Sequence, residues 1–462
     1  MSGTKSLEAV VAEACRTAGV PGMVVGILTE QEREVVVQGV ASAETGCPVR
    51  RDTLFQIGSI SKVYLATLAM RLVEEGKLRL DEPIVAVLPE LELADPRASE
   101  SITLRHLLTH TSGLEGDRFD DHGYGDDALA RYVAGLRDAR QIHPPGRLWS
   151  YCNSGFSLAG RLIEVVTGQP FESAMQERVF QPLGLERTFF FVQDVIGYPY
   201  ASGHRTDDAG RLEVVRDFAL PRSVHPAGGI WATIDDLLTF AAFHLELYRP
   251  SPAPLSLDGV RLLRTPQVPA ANWADHYGIG WAIWRCGRTT LVGHGGSTNG
   301  FQAHLVLVPE QRAAIASLTN HEQGSAAYLE VETRILAERF GIRPDPVRLV
   351  TLTEAQLERF AGTYEYPLAR LTVRAVAGGL RLETTQRRGL SKVARERQLP
   401  PLFLRPSGAR EFVVGAPRAV PNRVDFLSEG DDERPRWIRA FGRLAERVDD
   451  GVARDRCTAG SG

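Results

Sequence analysis

Three short segments hold residue types from which an acyl-transfer site could be built. The first is Phe55-Gln-Ile-Gly-Ser59-Ile-Ser61-Lys62. A serine and a lysine three apart share one face of a helix, with Cβ atoms roughly 5–6 Å apart. A serine at a helix start also sits at the positive end of the dipole, which favours an oxyanion nearby. Lys62 could take the serine proton if neighbouring charge or burial lowers its pKa. Alone, the same spacing describes a capping serine followed by a surface lysine.

The second segment is Pro144-Pro-Gly146-Arg-Leu-Trp-Ser-Tyr151-Cys152-Asn153-Ser-Gly155. Tyr151 and Asn153, two apart on an extended turn, point to one side. A phenol can relay a proton to a leaving group when nearby cations depress its pKa. The Asn153 amide can orient Lys62 or a substrate carbonyl. The plainer alternative is a loop tyrosine beside a turn asparagine. The third segment is Leu291-Val-Gly293-His294-Gly295-Gly296-Ser297-Thr-Asn-Gly300-Phe301. Glycine within a strand often marks close approach of a backbone or a ligand. The N–H after Gly296 could bond a substrate carbonyl as a strand edge does, and a glycine-rich hairpin is the plainer alternative. No phosphate-cradling glycine spacing is present.

Elements that could position these residues follow from the hydrophobic pattern. Gly22–Leu28 and Glu34–Gly39 read as a hairpin. A helix is expected from about Ile60 to Glu75, with Val63, Leu65, Leu68, Ala69 and Leu72 as its apolar stripe. Helical signals dominate to about residue 190, including Thr103–His110 and Ser157–Val166, and a further helix opens at Asp235. Strands return at Trp281–Arg285, Thr289–Val292, Phe301–Val308 and Ala313–Leu318, followed by a helix over Glu330–Phe340. Strands at both ends with helices between imply an α/β (α+β) domain whose antiparallel sheet joins distant segments. Gly341-Ile-Arg-Pro-Asp-Pro346 reads as a linker. Beyond it, six short strand candidates suggest a small β-barrel or sandwich: Gly362–Tyr364, Leu371–Val373, Leu380–Leu382, Glu411–Val414, Val424–Phe426 and Trp437–Phe441. The expected division is 1–345, 346–448 and a polar tail, 449–462, expected to be disordered.

Composition narrows the function classes. The chain has 462 residues, 43% hydrophobic and 24% charged, with a formal net charge of −4. This balance argues against nucleic-acid or anionic-membrane binding by bulk charge. No apolar run approaches the roughly 18 residues needed to span a bilayer. Met1–Arg16 has no hydrophobic signal region, so a cytoplasmic protein is expected. The five cysteines are odd in number and lack CxxC spacing, which speaks against a disulfide framework or structural zinc.

Taken together, Ser59/Lys62, Tyr151/Asn153 and His294/Gly296 occur in an order that resembles the serine β-lactamase and penicillin-binding-protein superfamily. The likeness is to its class C-like branch of esterases, D-aminopeptidases and transacylases, and covers about residues 5 to 340. Y-x-N and H-x-G stand where related members carry S-D-N and K-T-G. Further resemblance lies in Leu104-Arg-His-Leu-Leu-Thr-His110-Thr-Ser-Gly113-Leu114 and in Pro226-Ala-Gly228-Gly229-Ile-Trp-Ala-Thr-Ile-Asp-Asp236.

The resemblance implies a β-lactamase/transpeptidase-like sheet flanked by helices. It also implies a lipocalin-like C-terminal barrel of the kind appended to several esterases and peptidases, where it can overhang the active site. Ser59 would attack an acyl carbonyl, Lys62 and Tyr151 would share acid and base work, and Asn153 would orient. The backbone N–H groups of Ser59 and Ser297 would form the oxyanion hole, and Gly295 and Gly296 would line the substrate strand. His294 replaces a lysine, and a neutral imidazole is a poorer carboxylate clamp. No cofactor or metal is implied. The acyl group would pass to water or an amine. One such activity is closing a peptidyl thioester, delivered by a carrier protein of nonribosomal synthesis, into a macrocycle, with a D-residue preferred at the acyl end. A D-aminopeptidase or esterase acting on a small amide or ester is the alternative, and a non-catalytic ligand sensor a more distant one. His106 and His110 are expected to be structural, and Cys152 to pack in the core.

Overall fold

A computed structural model describes residues 6–207, 209–217, 219–271, 273–387, 396–415, 423–429 and 434–448. The expected tail, 449–462, and Cys457 within it lie outside the described residues. The chain divides into two units, one running to Asp345 and the other beginning at Pro346.

In the first unit, helix α1 (Leu7–Ala18) opens on Ser6, whose Oγ accepts the Ala9 N–H. The hairpin β1 (Gly22–Leu28) and β2 (Arg33–Gly39) follows. Near the other end lie β3 (Val268–Pro269), β4 (His276–Tyr277), β5 (Ala282–Cys286), β6 (Thr289–Thr298), β7 (Phe301–Val308) and β8 (Ala313–Thr319). They form one antiparallel sheet in the order β2-β1-β8-β7-β6-β5-β4-β3. The closure that unites the two chain ends pairs Met23 with Thr319 and Leu28 with Ala314.

Every residue of β1 is buried, because both faces of the sheet are covered. Met23, Val25 and Ile27 pack in a core with α1 and with α5 (Gly324–Arg339). Val24 and Leu28 point the other way, into a core with α2 (Ser61–Glu74) and α4 (Ile234–His244). This is the period-two alternation of a strand between two layers. Helix α2 is buried almost all round rather than along one stripe, with Lys62 and Thr67 enclosed as well. Helix α3 (Asn153–Thr167) packs beside it.

Two expectations need correction here. The stretch from 110 to 152 is mainly irregular, its helix being Ala128–Ala134. Gly113, Gly116, Gly123, Gly125, Pro144, Pro145 and Gly146 break any longer run. Strand β6 does not stop at Val292 but continues through the glycines to Thr298.

The second unit contains strands β9 (Gly362–Tyr366), β10 (Ala369–Val376), β11 (Gly379–Gln386), β12 (Leu402–Pro406), β13 (Glu411–Val414), β14 (Arg423–Leu427), β15 (Trp437–Ala440) and β16 (Arg443–Val448). Each pairs with the next, and β16 pairs back with β9, closing an eight-stranded antiparallel barrel. The sequence pattern had offered six of these. β12 is hidden by flanking prolines, and β16 by its charged alternation, Arg443-Leu-Ala-Glu-Arg-Val448. Phe360, Tyr364, Leu371, Leu382, Phe412 and Phe426 fill a shared core. Among the described residues no helix is long and apolar enough to cross a membrane.

Candidate active site

Ser59 stands on a single tight turn, Gly58–Ile60, that leads directly into α2. The turn is pinned from within: Ser61 Oγ donates to Gly58 O at 2.7 Å and accepts the Ile230 N–H at 3.1 Å. Gly58 has φ +52°, and a Cβ there would lie 2.6 Å from the Ser297 backbone nitrogen. Only glycine suits that conformation and that approach. The strand carrying His294, Gly296 and Ser297 therefore lies directly against the serine turn.

Lys62, one turn further into α2, is fully buried. Its Nζ donates to Ser59 Oγ at 3.1 Å and to the Ala227 carbonyl at 2.6 Å. The same nitrogen lies 4.9 Å from the Tyr151 ring centroid and 5.4 Å from that of Phe156. A buried ammonium needs such acceptors and ring faces, since its hydration is gone. The Ala227 carbonyl is delivered by the turn His225–Gly228. That turn is anchored by His225 Nδ1 against Glu172 at 2.7 Å, while Arg222 grips Glu172 with two bonds of 3.1 Å. Burial would raise the Glu172 carboxyl, but the hydrogen bond and charge of His225, with those of Arg222, overcome this and hold it down at about 2.

Tyr151 is buried, its ring between Lys62 and the rings of His110, Trp273 and His294. Asn153 begins α3, and its Nδ2 donates to Asp117 Oδ1 at 2.7 Å. Between them, Cys152 points inward and caps the helix: its Sγ accepts the Gly155 N–H at 3.3 Å. Burial pushes its thiol up to about 11, so it stays a packed, protonated side chain.

His294 is enclosed in the wall of the site, 1% exposed. Its Nδ1 lies 2.6 Å from the Gly295 carbonyl and its Nε2 3.0 Å from the Tyr277 hydroxyl. Burial, aided by the charge of Lys62, pulls its pKa down to about 3, so the ring is neutral at ordinary pH. The partner strand β5 follows β6 only as far as Gly293, opposite Ala282. Residues 294–298 thus keep β7 on one side and face the Ser59 turn on the other. Ser297 is exposed at the end of this edge.

The eight sequence-derived residues thus come from three distant stretches and meet at one place. Others were not foreseen from the sequence: Asp117, Tyr277 and the Ala227 carbonyl. Asp117 and Tyr277 carry no motif of their own. Ala227 acts through its backbone, which side-chain spacing does not reveal. His106 serves as a helix cap, its Nδ1 accepting the Thr103 N–H at 3.2 Å. A pocket of about 190 Å³ opens beside the His225–Gly229 turn, lined by Gln56, Phe190, Phe191, Leu220, His225 and Trp231 among others.

A family model described as Beta-lactamase matches residues 7–338. Penicillin-binding protein 4 of Amycolatopsis lactamdurans is 33% identical over 373 residues, covering 75% of this chain and 93% of the relative. Esterase EstB of Burkholderia gladioli is 31% identical over 316 residues, covering 60% of this chain and 77% of the esterase. Among solved structures, SurE, also solved with D-Leu, superposes with a TM-score of 0.73 at 26% identity, covering 96% of this chain and 98% of its own. With the family match spanning most of the first unit and the penicillin-binding protein matching three quarters of the chain, this protein belongs to the beta-lactamase family of serine hydrolases and acyltransferases.

Proposed function

We propose that Ser59 is the acyl-accepting nucleophile and that the enzyme closes peptidyl thioesters into cyclic peptides. In the first step Ser59 Oγ attacks the thioester carbonyl, the C–S bond breaks, and the thiol leaves with a proton. In the second, the peptide's own amine attacks the Ser59 ester, the C–O bond breaks, and the hydroxyl regains its proton. No cofactor or redox partner enters the balance. Lys62 and Tyr151 exchange the protons as a coupled pair. Asn153 orients the acyl group, and the Ser59 and Ser297 N–H groups hold the oxyanion, each worth about 3–4 kcal/mol in such sites. His294 contributes as a neutral wall rather than as a cation, and the strand segment Gly295–Gly296 beside the serine turn takes the acyl backbone. A carrier protein in the cytoplasm is the natural source of the thioester.

The observation that carries the nucleophile is the 3.1 Å contact between Lys62 Nζ and Ser59 Oγ. Support for an acyl chain ending in a D-residue comes from the likeness over both units to SurE, solved with D-Leu. The test offers linear peptide N-acetylcysteamine thioesters ending in D- or L-residues and separates products by mass spectrometry. Cyclic product from the D-series, lost in Ser59→Ala, is expected. Linear acid alone from every thioester removes the cyclase reading in favour of a hydrolase, which the likeness to EstB favours.

A further inference from the structure

Tyr151 is held on both sides by one residue, His110. The Ser150 N–H donates to the His110 carbonyl at 3.0 Å, and the Cys152 N–H donates to His110 Nδ1 at 3.0 Å. These two bonds bracket Tyr151 in the chain. The His110 imidazole also lies against the Tyr151 ring, with 4.3 Å between centroids. His110 does this from φ +59°, a left-handed conformation unfavourable for a residue with a Cβ. Such strain persists where the surroundings over-determine it, and it clusters at working sites.

The hydrogen bonds beyond His110 have a fixed direction. A backbone N–H can only donate, so His110 Nδ1 accepts, and the neutral ring carries its proton on Nε2. That Nε2 lies 3.1 Å from the Tyr277 hydroxyl. At the far end the Gly295 carbonyl can only accept, so His294 Nδ1 carries the proton and its Nε2 accepts. The Tyr277 hydroxyl supplies that bond at 3.0 Å, with a longer approach of 3.3 Å to Gly280 O. A one-way chain thus runs from the Cys152 N–H through His110, Tyr277 and His294 to Gly295. All three side chains are buried, none more than 1% exposed. One end lies between Tyr151 and Asn153, and the other lies on the strand edge beside the serine turn.

We propose that His110 and Tyr277 are positioning residues for the acyl-transfer step, fixing the Tyr151 segment against strand β6 and so setting where the phenol stands relative to the acyl group on Ser59. The proposal rests on the roles given above to Ser59 and Tyr151. Neither residue needs to touch substrate, so the effect falls on turnover rather than on binding.

The test measures kcat and KM for p-nitrophenyl acetate, with thermal melts as a check on folding, in Ser59→Ala, His110→Ala, His110→Asn and Tyr277→Phe. His110→Ala should lower kcat roughly 10- to 100-fold, as small misplacements do, with KM within about twofold of the parent. His110→Asn should recover most of the loss, because asparagine tolerates the left-handed conformation and offers an oxygen where Nδ1 stood. Tyr277→Phe keeps the ring and should lose kcat as His110→Ala does. Parental kcat in either His110→Ala or Tyr277→Phe overturns the proposal, as does His110→Asn no better than His110→Ala. If His110→Ala does not fold, Tyr277→Phe decides alone. Turnover that survives Ser59→Ala overturns the reading of Ser59 and this proposal with it. Loss in Ser59→Ala beside full kcat in Tyr277→Phe overturns the positioning role only.

Discussion

A methyl group on Gly296 would sit 1.9 Å from the carbonyl oxygen of Ile57 and 3.1 Å from the Ser59 backbone nitrogen. The strand and the serine turn are therefore in backbone contact, and in the mechanism proposed above this contact is what would bring the Ser59 and Ser297 N–H groups to one oxyanion. Gly296→Ala must push β6 and the turn apart. We expect kcat/KM for an ester substrate to fall at least about a hundredfold, the scale of losing one oxyanion donor. Stability should drop by about 1–3 kcal/mol, as overpacking does. An active Gly296→Ala enzyme would separate the oxyanion site from this contact.

Lys62 is enclosed between Ser59 Oγ, the Ala227 carbonyl and two aromatic rings. Lys62→Met fills nearly the same volume without the amine, so the fold should persist. Burst labelling of Ser59 by p-nitrophenyl acetate, followed by intact mass, should slow by about 10²–10⁴-fold. Lys62→Arg should not restore it, because a planar guanidinium cannot replace a compact ammonium in that enclosure. Labelling at the parental rate in Lys62→Met would assign the base elsewhere.

Asp117 holds the Asn153 amide at 2.7 Å inside the protein. Asp117→Ala removes a buried, charge-assisted partner, worth about 1.5–3 kcal/mol in typical cases. Urea unfolding should show that loss, and kcat should fall by about tenfold as the amide swings free. Unchanged kcat would leave Asn153 a structural residue.

The site was legible where side chains announce chemistry by spacing, and illegible where backbone does the work. Ser59/Lys62 has helical spacing and H-x-G suits a strand, yet each alone fits a plainer reading, and it is their order along the chain with Tyr151/Asn153 that marks the site. Asp117 is invisible because a loop, not a periodic element, brings it to Asn153. Tyr277 lies on a two-residue strand, too short for any period-two signal. In the sheet, β1 and β8 are apolar runs that read as strands, while their pairing across nearly the whole first unit follows from burial on both faces. The barrel strand β12 was missed because prolines mask it, although Pro406 sits at its end, where a missing donor is tolerated.

His294 supplies a pH signature. Its ring is neutral in the fold down to about 3, whereas an exposed histidine protonates near about 6.5. Between those values the unfolded chain binds a proton that the native state refuses, so stability falls as pH drops through this window. The contribution is about 2 kcal/mol between pH 7 and pH 5. Urea unfolding at the two pH values should show that His294→Gln loses less stability on acidification than the parent. An equal loss in both would mean that the buried imidazole accepts a proton in the native state.

Glu172 works in the same direction at lower pH. The carboxylate is buried with Arg222 and His225, which hold it ionised down to about 2. An unpaired glutamate titrates near about 4.3. A depressed carboxyl stabilises the fold above its unfolded value, and that stability is lost as pH falls through the folded one. Glu172→Gln leaves Arg222 without its buried counter-charge, so at pH 7 it should cost about 3–5 kcal/mol. At pH 3 the parent has already lost about 2 kcal/mol of that advantage, so the gap between the proteins should narrow. The same substitution frees the His225–Gly228 turn that presents the Ala227 carbonyl to Lys62, so ester turnover should fall at pH 7 even where the variant is fully folded. A gap of constant size at pH 7 and pH 3 would show that Glu172 contributes packing and not charge. Unaltered turnover in the folded variant would show that the Ala227 carbonyl holds Lys62 without this support.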